Sequence, residues 1–253
     1  MKLKILTVIF LLLFLSSTAY LVDTQVEYLI SDRINAQMNE KVQEFSSEVS
    51  NGTEEKEFEI LPKFSELYEE NQEFTGWIKI EGTEIDYPVM KPTEDNDFYL
   101  NHSPDGNYNQ YGAIYFDVSS DLKNPSTNWI LYGHNFRDGS MFGSLKKYKN
   151  ESYYQEHPII KLDTLYEEGE YEIISVFTSQ VFRKDQDVFK YYQYTNIQSK
   201  EKFDEYISNI EKLSLYEIDE TAEFGDSLIT LSTCDEWTEN GRIAVVAKKI
   251  TSE

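Results

Sequence analysis

The sequence predicts a mostly β fold: an eight-stranded barrel, closed or nearly so, preceded by N-terminal helices and interrupted late by one further helix. Three observations lead there. From Gly76 onward the apolar residues recur with a period of two, the pattern of chain that turns alternate side chains to opposite faces of a sheet. About eight such segments fall in one domain of the 253-residue chain, and that many short strands argue for a sheet closed on itself. Aromatic residues make up 15% of the chain, with 19 Tyr and 15 Phe, a composition suited to a pleated, half-buried surface.

Lys2 and Lys4 precede an apolar run over residues 5–22 that only Thr7, Ser16, Ser17 and Thr18 interrupt. As a helix rising about 1.5 Å per residue, the run spans roughly 27 Å and just crosses a bilayer core. Positive charge before it, with Asp23 and Glu27 after it, puts the N-terminus in the cytoplasm and the remaining chain outside a cell membrane crossed once. A cleaved signal peptide, with Ser17 and Ala19 as the small residues of its cleavage site, is the alternative. Either way the domain is exported. The expected organisation is an anchor or signal segment over 1–23, a helical stalk or linker with N-terminal helices over 24–72, and the barrel over 73–253.

Residues 24–48 carry Val26, Ile30, Ile34, Met38, Val42 and Phe45 in steps of four closing with three, which reads as one face of an amphipathic helix. Two readings stay open: a stalk that lifts the domain off the membrane, and a helix packed on the domain. Residues 46–57 are mostly polar and acidic, with Asn51-Gly52 as a turn signal, and read as a linker. Pro62 suits the first turn of a second helix, which sets Phe64, Leu67 and Tyr68 on one face. Segments 77–80 and 85–90, joined by a turn at Glu81-Gly82-Thr83, read as a hairpin; the further strand candidates are 113–116, 128–133, 159–162, 171–181, 227–233 and 242–249. Between the sixth and seventh strands, Ser199 can cap a helix with Glu201 in its first turn and an apolar stripe of Phe203, Tyr206, Ile207, Ile210 and Leu213.

The formal net charge of −23 argues against a nucleic-acid partner, because affinity for phosphates rests on Lys and Arg; it reads as a solvated, self-repelling surface. The single cysteine, Cys234, excludes an intramolecular disulfide. It ends the stretch Leu228-Ile229-Thr230-Leu231-Ser232-Thr233-Cys234, where the strand period places it on the face of Ser232, Thr230 and Leu228, opposite core-facing Ile229 and Leu231. A thiol at a strand end on a partly polar face is presented, not buried. Arg242 begins the next strand after a turn-like stretch at 238–241, so a hairpin can bring its guanidinium back beside Cys234, to favour thiolate and to donate to an oxyanion; taken alone it reads as a surface arginine at a strand start. His134 ends the apolar strand Trp129-Ile130-Leu131-Tyr132-Gly133-His134-Asn135; an imidazole both accepts and donates protons near neutral pH, as attack by a thiol and departure of an amine require, although taken alone it reads as a hydrogen-bonded structural histidine at a strand end. His102, in a loop with Asn101 and Ser103, is the weaker alternative base, and His157 before Pro158 reads as a loop residue.

These residues, in this order, resemble the sortase family over about 66–250: Thr-Leu-Ser-Thr-Cys ending at Cys234, the upstream Tyr132-Gly133-His134-Asn135, and the downstream Arg242. The N-terminal helices, Asn96-Asp97-Phe98-Tyr99-Leu100, Gly112-Ala113-Ile114-Tyr115-Phe116-Asp117 and above all the helix over 199–213 resemble class B. The resemblance implies a sortase-type barrel with Cys234, His134 and Arg242 as the catalytic trio and with Asn96, Leu100 and Ser232 lining a groove for the sorting signal. Asp235 matches an acidic position of some class B members, but beside the cysteine it reads as a solvated turn residue. The implied reaction is cleavage of a surface protein's C-terminal sorting motif at threonine, through a thioacyl-enzyme, and transfer to a peptidoglycan amine. A cysteine protease using water and a non-catalytic membrane-tethered binding module are the alternatives. No His, Cys or carboxylate cluster at metal-ligand spacing stands in the sequence, and neither metal nor cofactor is expected.

Overall fold

The computed structural model describes residues 2–48, 59–123, 127–236 and 238–251. Its eight strands are β1 (Phe74–Lys79), β2 (Asp86–Met90), β3 (Ile114–Phe116), β4 (Asn128–Tyr132), β5 (Ile159–Thr164), β6 (Glu170–Gln180), β7 (Leu228–Cys234) and β8 (Gly241–Lys249). They close into a barrel in the order β1-β2-β3-β4-β7-β8-β6-β5. Every strand the period-two pattern marked is present, shifted by at most a few residues at its ends. Two neighbouring pairs, β2 with β3 and β4 with β7, run parallel. Between β4 and β7 the chain makes β5, β6 and the helix α4 (Lys200–Leu213), the long crossover that a parallel pair needs. The shorter helices are α2 (Ser65–Glu70) and α3 (Glu151–Glu156).

Strand β7 shows why its six residues before Cys234 are buried on both faces. Ile229 and Leu231 enter the barrel interior with Leu131, Phe116, Ile243 and Val245. Leu228 turns the other way, under Phe203, Tyr206, Ile207 and Ile210 of α4. Thr230 and Ser232 share that covered outer face, so their hydroxyls must be satisfied there. Thr230 Oγ1 donates to Asn128 Oδ1 at 2.9 Å, and Ser232 Oγ meets the Tyr191 hydroxyl at 2.7 Å. Helix α4 starts at the expected cap, with Ser199 accepting from the Lys202 amide.

The N-terminal helix α1 (Lys2–Glu48) is continuous through the apolar run and the amphipathic segment. Beyond Glu48 the expected linker with its Asn51-Gly52 turn lies outside the described residues up to 58. Of the two readings for 24–48, the structure has the helix packed on the domain: Val42 is buried with Phe64, Leu67 and Phe74, and Ser31 is 4% exposed. The expected stripe holds only at its C-terminal end. Val26 and Ile30 are nearly half exposed, while Thr24, Glu27 and Tyr28 turn toward the domain. The reason is geometric: at 3.6 residues per turn, four steps of four residues drift by roughly 160° around the helix, so Val26 and Val42 cannot face the same surface.

Candidate active site

Cys234 is the last residue of β7, and its free thiol is exposed. In the β7–β8 hairpin it stands directly across from Arg242, so the two side chains leave the same face of the sheet. On the other side β7 runs parallel to β4, with Tyr132 opposite Ser232, which carries Gly133 and His134 up beside Thr233 and Cys234. The two strand ends are tied to one another. Thr233 Oγ1 donates to the Gly133 carbonyl at 2.7 Å, and Asn135 Nδ2 donates to the Cys234 carbonyl at 2.6 Å. That second bond fixes the orientation of the Asn135 amide, since only its nitrogen can face a carbonyl. Gly133 lets the strand end pack closely on the barrel, since a Cβ there would lie 2.4 Å from the tip of the Ile114 side chain and 3.0 Å from the Phe142 ring.

His134 is held at three points. Its carbonyl accepts from the Phe142 amide at 2.9 Å, its ring lies 5.4 Å from that of Phe136, and its Nε2 is 2.6 Å from the Leu100 carbonyl. A carbonyl only accepts, so Nε2 carries the proton of that bond, and Nδ1 is the nitrogen left to take and return one. The other histidines are engaged elsewhere. His102 stacks on Phe98 at 3.9 Å, with Nδ1 at 2.8 Å from the Phe98 carbonyl. His157 Nδ1 lies 2.9 Å from the Glu81 carbonyl and braces the β1–β2 turn.

Arg242 is anchored by its own turn. Nη1 donates to the Gly241 carbonyl at 2.9 Å and to the Asn240 carbonyl at 3.4 Å, which leaves further N–H groups of the five-donor fork for a ligand. The turn takes Asn240 into the left-handed region (φ 57°) and needs glycine next, because a Cβ at Gly241 would lie 2.4 Å from the Asp235 carbonyl. Asp235 is not the solvated residue expected. It is 7% exposed, its amide donates to the Gly241 carbonyl, and its carboxylate takes two bonds from Lys149 Nζ at 2.8 and 2.7 Å. Lys149 ends a 3-10 helix (Gly143–Lys149) 86 residues earlier in the chain, a partner that local pattern does not reveal.

Of the expected groove residues, Leu100 reaches the site through its backbone, by the bond to His134. Ser232 is 1% exposed, one alternation below Cys234, and is bonded to Tyr191. Asn96 accepts from the Val118 amide at 2.7 Å and so ties the loop after β2 to the end of β3. Sequence reasoning missed Tyr191. Burial pushes its phenol up to about 12, while the Ser232 hydrogen bond and the Arg242 cation pull the other way. It therefore stands protonated beneath the trio. A cleft of about 1020 Å³ between α1, α2 and Tyr99 touches none of the three.

A thiol, an imidazole with a fixed tautomer and a guanidinium, gathered at adjoining strand ends, can carry out acyl transfer at a carbonyl. The comparisons agree with that chemistry. The family described as Sortase domain matches residues 78–250. The chain is similar to a sortase B of Staphylococcus aureus, 33% identical over 193 residues, covering 76% of each chain. It is also similar to the structure of sortase B from Bacillus anthracis in complex with AAEK1, at a TM-score of 0.74 and 32% identity, over 90% of this chain and 99% of that one. A Staphylococcus aureus sortase B–substrate complex matches at a TM-score of 0.76 and 28% identity, over 90% of this chain and 100% of the other.

Proposed function

The chain belongs to the sortase family, class B, and is a cysteine transpeptidase; from that premise we propose that it cleaves the C-terminal sorting motif of an exported surface protein at threonine and joins the acyl group to a peptidoglycan amine. The observation that carries the proposal is the register of β7: it sets the exposed thiol of Cys234 across from Arg242 and beside His134. In the first half-reaction the thiol proton passes to His134 Nδ1, and the sulfur attacks the threonine carbonyl carbon. Free N–H groups of the Arg242 fork stabilise the oxyanion. Collapse breaks the C–N bond, Nδ1–H protonates the departing amine, and a thioester on Cys234 remains. In the second half an amine attacks the thioester, Nδ1 takes its proton, and the C–S bond breaks to release the amide product. Asn135 and Thr233 hold the two strand ends in register through both halves.

Leu100 and Asn96 sit in the stretch between β2 and β3 and would form one wall of the peptide groove; Ser232 and Tyr191, each 1% exposed, do not line it but support it from beneath. A Staphylococcus aureus sortase B with a similar fold is known in complex with its substrate, which supports a substrate site in this chain as well. Helix α1 is long and apolar enough to cross a membrane, and Lys2 and Lys4 before the apolar run with Asp23 and Glu27 after it favour a single-pass anchor with the barrel outside.

The test offers a library of sorting-motif peptides to the enzyme, with and without an added amine, and identifies products by mass. One cleaved motif, an amine-linked product and complete loss of both in Cys234→Ala are the expected outcome. Since the thiol is exposed, Cys234→Ala keeps the parental melting temperature. Hydrolysis alone at saturating amine would make the protein a protease instead, and full activity in Cys234→Ala would remove the mechanism.

A further inference from the structure

Helix α1 reaches His134 through a short chain of contacts. The Asn109 side-chain amide donates to the Glu27 carbonyl, and the Gln110 backbone amide donates to the Glu27 carboxylate, each at 3.1 Å. One residue on, the Tyr28 ring meets Tyr111 edge-on at 5.5 Å. Tyr111, 7% exposed, stacks on Phe136 at 4.3 Å, and Phe136 lies 5.4 Å from the His134 ring. The loop gripped at 109–111 runs back without a strand to Leu100, whose carbonyl holds His134 Nε2. The helix thus bears on both supports of the imidazole: the ring stack on one side and the loop carrying the Leu100 carbonyl on the other.

We propose that Glu27 and Tyr28 are positioning residues that set the ring of His134 through Tyr111, Phe136 and the loop 101–112. The inference rests on the reading of His134 as the group that shuttles the proton. Tyr28 lies outside the three hydrophobic clusters that fill the barrel, cover it with α4 and pack α2 on it. Removing its ring therefore loosens the stack without opening the core. Positioning matters because a proton transfer tolerates little misplacement; a shift of about 1 Å can cost on the order of a hundredfold in rate.

The experiment uses the full chain in detergent micelles and measures kcat and KM for peptide cleavage, the melting temperature, and the imidazole nitrogen signals of His134 by NMR. Tyr28→Ala is expected to lower kcat by about tenfold or more with KM within about twofold, well below its melting temperature, with displaced His134 signals. Tyr28→Phe keeps the ring and restores both; Glu27→Ala lowers kcat and Glu27→Gln largely retains it. A parental kcat in Tyr28→Ala, an unchanged His134 spectrum, or a Phe variant as poor as Ala would overturn the proposal. Should Tyr28→Ala not fold, Tyr28→Leu takes its place: a folded Leu variant with parental kcat overturns the proposal, and one with low kcat and displaced signals supports it. A His134→Ala variant that remains active would instead remove the underlying reading of His134, which keeps the two failures apart.

Discussion

Arg242 illustrates how much of a residue's role depends on what already holds it. Its guanidinium is pinned by carbonyls of its own turn, so the remaining donors have a fixed direction. Lysine keeps the charge but lacks the planar fork and cannot hold both the turn and an oxyanion in one geometry. Arg242→Lys is therefore expected to fail nearly as badly as Arg242→Ala, by about a hundredfold or more in peptide cleavage rate. Rates for both variants, with Cys234 alkylation followed against pH, check this; a Lys variant within a few-fold of the parent would make Arg242 a point charge. His157 gives the contrast. Its ring braces the Glu81 carbonyl and packs 4.5 Å from Tyr153, remote in role from Cys234. His157→Ala should lower unfolding stability by about 1 kcal/mol, the loss of one hydrogen bond, and leave cleavage unchanged. Denaturant unfolding beside a peptide assay separates the two effects.

At the scale of elements, α1 divides into two parts with different consequences. The apolar side chains over 6–22 are exposed, whereas Glu27, Ser31 and Val42 meet the domain. Deleting residues 1–25 should give a soluble enzyme with near-parental activity on peptide. Deleting 1–44 removes Val42, uncovers Phe64 and Leu67 and strips the grip on 109–111. That protein should be destabilised by a few kcal/mol, since burying one large apolar side chain contributes about 1.5–3 kcal/mol, and should turn over more slowly. Melting curves and peptide turnover for both truncations decide it; equal behaviour of the two would reduce α1 to a tether. Helix α4 was readable from sequence because its cap, its first-turn acid and its apolar face all lie within fifteen residues. What it covers was not: Tyr206 reaches Asn128 and Thr230 from distant strands, a network that satisfies polar groups which would otherwise be buried alone.

Across the whole molecule, buried tyrosines make stability sensitive to alkali. Burial raises the phenols of Tyr87 and Tyr191 to about 12, and those of Tyr115, Tyr132, Tyr148, Tyr171 and Tyr206 beyond that. The unfolded chain gives up these protons near pH 10 while the folded chain keeps them, so the unfolded state binds fewer protons and stability falls as pH rises. The contribution is complete below about pH 10 and is lost through pH 12 and above. Tyr191 alone accounts for roughly 2 kcal/mol by pH 12. Urea unfolding across pH 8 to 12, with tyrosinate absorbance followed in parallel, should show flat stability, then a steep fall above pH 10, with these phenols ionising as the protein unfolds. Early ionisation in the folded protein would contradict their burial.

By itself the sequence determined the eight strands and the inserted helix, because each is written in local pattern, a period of two or a cap followed by an apolar face; it offered Cys234, His134 and Arg242 as candidates at strand ends, which the family resemblance grouped into a trio. Only the tertiary structure decided that β4 and β7 run side by side in parallel, which brings together His134 and Cys234, 100 positions apart in the chain. It alone assigned the Leu100 carbonyl to His134, Lys149 to Asp235 and Tyr191 to Ser232. A backbone carbonyl is common to every residue and leaves no trace in composition. A buried ion pair or hydroxyl pair is set by which surfaces the barrel closes against one another, and that closure is a property of the whole chain.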